Sequence, residues 1–312
     1  FMSEYGFQSF TEFSSFQNFA SLEDTNMYSE VMKSHQRSSI GNATIEEYMN
    51  REFKKPKNFE SLLYVSQILQ ADGIRTAIEA HRRNKATCMG SLYWQLNDCW
   101  PGASWSGIDY YGKWKALHYN VKKAFKPVII SHEFIDSNLQ VIAVSDLKKA
   151  FNGEVEISLM PFNGDSILQS WKQQVSLNPF EASTILTIFK SELPKFENKK
   201  QGYLKLVLKE KGEIISSKNI YFLPFKDLEI ANPVIEYKAI ANEKEHKIDL
   251  IITCKKFAKG IHISSNSKEN FSDNFFDLDA GQQKKVSIYL NEKENSEEIL
   301  NSVKVKSLWD GV

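Results

Sequence analysis

The sequence predicts the C-terminal quarter of a (β/α)8 TIM barrel, followed by two immunoglobulin-like antiparallel β-sandwich domains. Up to about residue 128 the order is strand, helices, strand, helix, which is typical of a parallel sheet with crossover helices. A complete barrel needs about 250 residues, so two such βα units make only a quarter of one. Beyond this point apolar residues alternate at period two between turn residues, as in β-sandwiches. The predicted domains are residues 1–128, 129–231 and 232–312.

The helices and strands of the first domain are predicted from periodicity and end signals. The longest helix follows Pro56, with Asn58 as its N-cap and an apolar stripe along one face. Pro127 ends the last helix of the domain. The predicted strands are 1–6 and 88–96, the second of them buried, and the predicted helices are 45–53, 59–83 and 114–125.

Short strands separated by Gly, Asn, Asp and Pro fill the rest of the chain. The second domain is predicted to contain strands 128–134, 139–145, 153–160, 166–175, 183–189, 202–209 and 214–222. The third is predicted to contain strands 234–242, 247–254, 260–264, 284–289 and 303–308. A linker rich in proline, residues 223–233, separates the two domains.

Composition excludes several classes of function. The 312 residues include 39 basic and 39 acidic residues, and this balance argues against nucleic-acid or anionic-membrane partners. No apolar run of about 18 residues is present, so we expect no transmembrane helix. The three cysteines and six histidines lack the spacing of a disulfide framework or a metal site, so we expect no metal. Because the chain does not begin with Met, we expect it to be a fragment, and any targeting signal is expected upstream of it.

An aromatic segment, residues 90–114, holds four of the six tryptophans among short polar side chains. Most of it follows the C-terminal end of a predicted barrel strand, where the active sites of TIM barrels lie. Sugars have apolar C–H faces and a hydroxyl rim, so aromatic rings beside polar groups suit them. Trp94, at the strand end, is the best candidate for such a role. Packing within the protein is the better interpretation for Trp100, Trp105 and Trp114.

Glu4 ends the first predicted strand, in the sequence FMSEYGFQSF. A carboxylate at this end of a barrel strand can project into the barrel mouth. Retaining glycosidases use such a group as a nucleophile, opposite a protonated carboxyl about 5–5.5 Å away. Taken alone, a single glutamate near a terminus is more often a solvated surface residue.

Together these residues resemble the β-mannosidases of glycoside hydrolase family 2. The resemblance covers most of the chain in the same order, and its longest string is highly specific. It rests on SEYGFQSF (3–10), HQRSSIGNATIEEYM (35–49), LYVSQILQADGIRTAIEAHRR (63–83), GSLYWQLNDCWPGASWSGIDYYGKWKALHY (90–119) and FSDNFFDLDAG (271–281).

The resemblance implies an exo-acting retaining β-mannosidase of five domains that needs no cofactor. It implies that Glu4 is the nucleophile and that Trp94 lies beside the sugar in the −1 subsite. It also suggests Asn97 and Asp98 as partners of sugar hydroxyls. The sequence has Thr11 where the family usually has proline.

One part of the family's machinery is not found in this sequence. The acid/base glutamate of the family follows an earlier barrel strand in an Asn-Glu motif, and no such motif follows a predicted barrel strand here. We therefore expect this chain to be inactive alone and to need the missing N-terminal part of the same enzyme as its partner, beside a β-mannoside substrate. Localisation stays open, with an extracytoplasmic or lysosomal enzyme plausible for the family.

Two alternatives to β-mannosidase remain. One is a related family 2 activity, β-galactosidase or β-glucuronidase. The other is that the β domains are non-catalytic carbohydrate-binding modules. Residues 128–312 hold only Trp171 and Trp309 as tryptophans, so a scaffolding role for these domains is preferred.

Overall fold

The computed structural model describes residues 1–164, 166–193, 196–267 and 270–312. These residues form two compact units, each described by itself. The first unit comprises Phe1–Tyr5, Ile74–Tyr93 and Val121–Glu229. The second comprises Gly6–Gly73, Trp94–Asn120 and Ile230–Val312. Among the described residues, no helix is both long and apolar enough to cross a membrane.

The secondary structure follows the predicted order. The helices are α1 Phe13–Phe16, α2 Glu30–Ser34, α3 Gly41–Glu52, α4 Phe59–Arg83, α5 Ala116–Ala124, α6 Phe196–Gln201, α7 Ser296–Ser302 and α8 Leu308–Gly311. The strands are β1 Met2–Tyr5, β2 Ser91–Tyr93, β3 Val128–Ile135, β4 Asn138–Ser145, β5 Phe151–Pro161, β6 Gln169–Leu177, β7 Ala182–Ile188, β8 Gly202–Glu210, β9 Glu213–Ile220, β10 Ile235–Asn242, β11 Lys247–Cys254, β12 Ala258–Ser264, β13 Phe276–Leu278, β14 Gln283–Tyr289 and β15 Lys304–Lys306.

In the first unit, β1 and β2 form a parallel pair, with Met2 opposite Ser91 and Tyr5 opposite Tyr93. The expectation of a long buried strand over residues 88–96 is wrong. Strand β2 has three residues, and Leu92 at its centre is 56% exposed. The strand is short because residues beyond Tyr93 pair with a different part of the chain, described with the candidate site.

Helix α4 has the predicted ends, and its N-cap is the predicted one, because Asn58 Oδ1 accepts a hydrogen bond from Ser61 N at 2.9 Å. The prediction of a single apolar stripe is wrong for the middle of the helix. Residues 63–71 are all buried, polar side chains included. A helix buried on all sides needs partners for those polar groups, and they lie near the candidate site.

The first unit contains an antiparallel sandwich made of the sheets β3-β4-β7 and β6-β5-β8-β9. These strands correspond to the seven predicted for the second domain. Their inward-facing apolar side chains form one core, whose fully buried members include Leu139, Val141, Val155, Ile157 and Leu206. The alternation at period two therefore identified a sandwich correctly.

The second unit contains the other β structure, made of the sheets β10-β11-β14 and β13-β12-β15. Its core includes Ile248, Leu250, Ile261, Val286 and Ile288. Strand β13 lies in the stretch FSDNFFDLDAG and is followed by a turn at residues 280–281. The immunoglobulin-like part of the predicted fold is thus present in both units.

Candidate active site

Glu4 lies in β1 with its side chain exposed. Its neighbour Tyr5 is anchored within the first unit. The Tyr5 hydroxyl shares a 2.7 Å hydrogen bond with Ser91 Oγ, and its ring meets His81 edge to face with 4.8 Å between centroids. Burial raises the pKa of the Tyr5 hydroxyl, so this group stays protonated. The strand therefore presents a free carboxylate next to a fixed aromatic residue.

Gly6 begins the part of this segment that belongs to the second unit. A Cβ atom at this position would lie 2.6 Å from the carbonyl oxygen of Trp94 and 2.7 Å from Cδ1 of Trp105. These distances are too short for any side chain, so only glycine fits. The main chain two residues after Glu4 therefore packs directly against the aromatic segment.

Trp94 begins the turn of the aromatic segment and is 49% exposed. Its peptide bond to Gln95 is cis. Asn97 is also exposed. Both side chains can therefore reach a ligand, and their roles in sugar binding stay predictions.

The aromatic segment folds back on itself through main-chain hydrogen bonds. Gln95 N donates to Trp105 O at 3.2 Å, and Ile108 N donates to Leu96 O at 2.9 Å. Asp98 N donates to Ile108 O at 3.2 Å. This pairing explains why β2 stops at Tyr93: the chain beyond it hydrogen-bonds within its own loop.

Asp98 is buried, with 9% of its surface exposed. Its Oδ2 accepts hydrogen bonds from Ser104 Oγ at 2.7 Å and from Ser106 Oγ at 2.6 Å. Its Oδ1 accepts a longer bond, 3.3 Å, from Gln95 Nε2. The carboxylate therefore holds the loop together, and contact of Asp98 with a sugar hydroxyl stays a prediction.

The other tryptophans of the segment contact protein groups. Trp100 stacks on His35, with ring centroids 5.2 Å apart, and the Arg37 guanidinium lies 5.0 Å from its centroid. Trp114 packs edge to face against Tyr119 at 5.4 Å. The contact of Trp114 agrees with the packing role expected for it, whereas Trp100 is 47% exposed and its packing role stays a prediction.

A buried carboxyl, Asp109, ties the end of the aromatic segment to helix α1. Its Oδ2 accepts a hydrogen bond from Ser15 Oγ, and its Oδ1 accepts 2.9 Å bonds from the main-chain N–H groups of Tyr111 and Lys113. Burial raises the pKa of this carboxyl above its usual range. Among the described residues, no group of three or more His, Cys, Asp and Glu side chains could hold a metal ion.

Two buried polar residues near the site were missed by sequence reasoning, Gln70 and Lys115. Both contact the segment that follows Glu4 and the loop that contains Asp98. A signal existed for Gln70, because it falls at helical spacing between Leu63 and Ile74 on the buried side of α4. Lys115 follows Trp114 with no pattern that distinguishes it from a surface lysine.

Comparison with known proteins identifies both β domains. Residues 137–227 match the family model of the mannosidase Ig/CBM-like domain, and residues 230–311 match a model described as an Ig-fold domain. The β-mannosidase of Capra hircus is 37% identical over 161 residues, which cover 47% of this chain and 18% of that protein. β-Mannosidase A of Emericella nidulans is 26% identical over an alignment of 355 residues, which covers 99% of this chain and 37% of that protein.

Solved structures show the same relationship. The β-D-mannosidase from Dictyoglomus thermophilum superposes with a TM-score of 0.88 at 26% identity, over 98% of this chain and 37% of that chain. The exo-chitosanase of Amycolatopsis orientalis shares the fold, with a TM-score of 0.73 at 15% identity over 100% of this chain and 42% of that one. The chain thus spans well under half the length of these relatives. Both β domains match family models, and the chain is similar to β-mannosidases along its whole length, which supports its assignment as a fragment of a β-mannosidase of glycoside hydrolase family 2.

Proposed function

We propose that the intact protein carrying this chain is an exo-acting retaining β-mannosidase that releases terminal, non-reducing β-D-mannose. The observation that carries the proposal is the similarity to β-mannosidases along the whole chain, in sequence and in structure. The exposed carboxylate of Glu4 and the exposed ring of Trp94 support it, because a glycosidase subsite needs both kinds of group.

We propose the same domain organisation that the sequence predicts. Residues 1–128 would be the last quarter of a (β/α)8 barrel, residues 129–231 the first β-sandwich and residues 232–312 the second. The parallel pairing of β1 with β2, separated along the chain by helices, supports the barrel assignment.

In the proposed mechanism Glu4 attacks the anomeric carbon of the mannoside while an acid/base glutamate, upstream of this chain, protonates the leaving oxygen. The C–O bond to the leaving group breaks and an ester between mannose and Glu4 forms. The upstream carboxylate then takes a proton from water, whose oxygen displaces Glu4 with net retention. Trp94 would stack on the apolar face of the sugar, and Asn97 and Asp98 would bind hydroxyls. No cofactor takes part.

Glu4→Gln in the intact enzyme tests the nucleophile. We expect kcat for an aryl β-mannoside to fall by roughly 10³-fold or more, because the ester cannot form. Glu23 is the matched control, because its side chain is exposed and the hydrogen bond to Ser21 Oγ is made by its main-chain N–H. Glu23→Gln should leave kcat unchanged. Near-normal hydrolysis by the Glu4 variant would show that the assignment is wrong.

Covalent trapping identifies the same residue independently. A 2-deoxy-2-fluoro-β-mannosyl fluoride slows the second displacement, so the ester accumulates on the nucleophile. Peptide mass spectrometry of the trapped enzyme should place the added mass of a 2-deoxy-2-fluoromannosyl group on the peptide containing Glu4. A label on any other carboxylate would contradict the proposal.

A panel of aryl glycosides separates the proposed activity from its family 2 alternatives. We expect the β-mannoside to be hydrolysed faster than the β-galactoside and the β-glucuronide.

Residues 128–312 are proposed to be a scaffold, so they should bind no mannan by themselves. We also expect this chain alone to be inactive and to gain activity only with the N-terminal part of the enzyme, since that part supplies the acid/base glutamate.

A further inference from the structure

A polar cluster in the second unit joins the segment after Glu4 to the loop that contains Asp98. We name it the Gln70 clamp; it consists of Gln70, Lys115, Ser9 and Ser104. Its frame is a pair of main-chain bonds: Ser9 N donates to Ser104 O at 2.9 Å, and Ser104 N donates to Ser9 O at 3.0 Å. Ser9 lies in the SEYGFQSF motif, five residues after Glu4.

Gln70 is fully buried in the middle of α4, and every polar atom of its side chain is used. Its Nε2 donates to Phe7 O at 2.7 Å and to Ser104 O at 3.2 Å. Its Oε1 accepts a 2.7 Å bond from Ser9 Oγ. One side-chain amide therefore makes three hydrogen bonds to two different segments of the chain. Both of its N–H groups and its oxygen have a partner.

Lys115 reaches the same place from the residue before α5. Its Nζ donates to Ser9 O and to Ser104 O, each at 3.3 Å, and the side chain is 2% exposed. Burial lowers the pKa of this lysine to about 8, although the charges of Asp98 and Asp109 oppose the change. This pKa is still above neutral pH, so the ammonium group is mostly charged there. It donates to two main-chain carbonyl oxygens.

The clamp extends directly to a candidate site residue. Ser104, whose main chain both Gln70 and Lys115 contact, donates its Oγ hydrogen bond to Asp98 Oδ2. On the other side, Phe7 O is bonded to Gln70, and only Tyr5 and Gly6 separate Phe7 from Glu4. Burying an amide and an ammonium group is costly unless each is fully hydrogen-bonded. An arrangement of this kind fixes geometry more than it adds stability.

We propose that Gln70 and Lys115 are positioning residues for the nucleophile and the aromatic loop, an inference that rests on the proposed glycosidase function. Neither residue touches the sugar. Each holds main-chain atoms of the segment that follows Glu4 and of Ser104, so that this segment and the loop of Asp98 keep a fixed register. A displacement of about 1 Å between reacting groups can lower the rate about 10²-fold, so losing the clamp should slow chemistry much more than it weakens binding.

Gln70→Met in the intact enzyme tests the clamp, because methionine fills the same space without hydrogen bonds. We expect kcat for an aryl β-mannoside to fall roughly 10²-fold while KM changes by less than about 3-fold. Trapping of Glu4 by the fluoro sugar should slow in parallel. The matched control is Gln67→Met: Gln67 is equally buried one turn earlier on α4, but its Oε1 accepts a bond from Ala116 N at 3.1 Å, away from both segments. That variant should keep its kcat.

Amide hydrogen exchange gives a readout that does not depend on activity. The N–H groups of Ser9 and Ser104 bond to each other's carbonyls, so both should exchange faster in Gln70→Met and at the wild-type rate in Gln67→Met. Ser9→Ala, which removes only one hydroxyl, provides a milder second variant and should lower kcat several-fold.

The outcomes separate this inference from the proposed function. If the wild-type enzyme hydrolyses the mannoside and Gln70→Met keeps the wild-type kcat, the positioning role is wrong and the β-mannosidase proposal stands. If both methionine variants lose kcat equally, Gln70 is only a structural residue and the inference is again overturned. A wild-type enzyme that hydrolyses no β-mannoside would refute the proposed function and the positioning role together, whatever the exchange rates.

Discussion

Helix α4 carries two buried polar clusters of different chemistry, one described in each unit. In the second unit the centre of the Gln70 clamp is the neutral side-chain amide of Gln70, which donates hydrogen bonds to main-chain carbonyls. In the first unit Glu79, which is 1% exposed, pairs with Arg75 Nε at 2.7 Å and with Lys218 Nζ. The amide fixes the geometry of loops, whereas the charges attach the helix to strand β9 of the sandwich.

The difference lies in what happens when one partner is removed. A buried ion pair is held together by attraction that only just exceeds the cost of taking both charges out of water, so losing one partner leaves an uncompensated charge. A neutral amide leaves unpaired dipoles, at a smaller cost in stability. We therefore expect changes at Glu79 to lower stability and changes at Gln70 to lower kcat.

Glu79→Gln should have the largest effect on stability. It removes the buried counter-charge of Lys218, whose side chain is 11% exposed, and one of the partners of Arg75, and we expect the free energy of unfolding to fall by about 3–5 kcal/mol. Urea unfolding measures this. Glu47 provides the control, since its side chain and that of its partner Arg51 are 60% and 56% exposed, and Glu47→Gln should cost less than about 1 kcal/mol. Equal losses in the two variants would show that burial does not set the strength of the Glu79 cluster.

The pH dependence of stability sharpens the same comparison. Burial would raise the pKa of Glu79, but the charges of Arg75 and Lys218 outweigh it and lower the pKa to about 2. The unfolded chain takes up the proton near pH 4.5, so this stabilisation is complete above that pH and is lost as the pH falls toward 2. We expect a loss of about 3 kcal/mol over this range, measured by urea unfolding at each pH.

Two variants complete that experiment. Glu79→Gln should show a correspondingly flatter pH profile, because its side chain does not titrate. Gln70→Met should keep the wild-type slope, since the amide carries no proton to lose. A Gln70→Met profile as flat as that of Glu79→Gln would break the distinction between the two clusters.

The smallest effect is expected at Lys259, a buried cation of the second unit. Its Nζ lies 3.1 Å from Asp72 and 3.6 Å from Asp277. Asp72 is 39% exposed, so it regains water when its partner is lost. Lys259→Met should therefore cost about 1 kcal/mol in urea unfolding, although the lysine side chain is only 8% exposed. A cost as large as that of Glu79→Gln would mean that exposure of the remaining partner is irrelevant.

Much of the fold could be predicted from the sequence because local signals were strong. Pro56 and Asn58 marked the start of α4, and the alternating apolar residues of the sandwiches marked their strands. Strand β2 was predicted to be too long because apolar residues continue past Tyr93 in the sequence. Whether such residues stay in a sheet depends on main-chain partners far along the chain, such as Trp105 for Gln95, which periodicity does not encode.

The residues of the candidate site, too, could be predicted from the sequence only in part. Glu4 came from one specific family motif and Trp94, Asn97 and Asp98 from another, and their catalytic and binding roles remain predictions. Gln70 was missed because a glutamine among apolar residues of a helix is easily taken for a boundary of the stripe. Its function depends on which main-chain carbonyls converge on it, and that is a property of tertiary structure alone.

The close approach at Gly6 has a consequence for mutagenesis of the residues around Glu4. No side chain fits at Gly6, two residues after Glu4, so substitutions close to Glu4 are tolerated at some positions and not at others. Variants at Gly6 should fail to fold, whereas the exposed side chains of Trp94 and Asn97 can be exchanged without disturbing the packing, so their substitution tests sugar binding alone. The main chain two residues after Glu4 therefore has almost no mutational freedom.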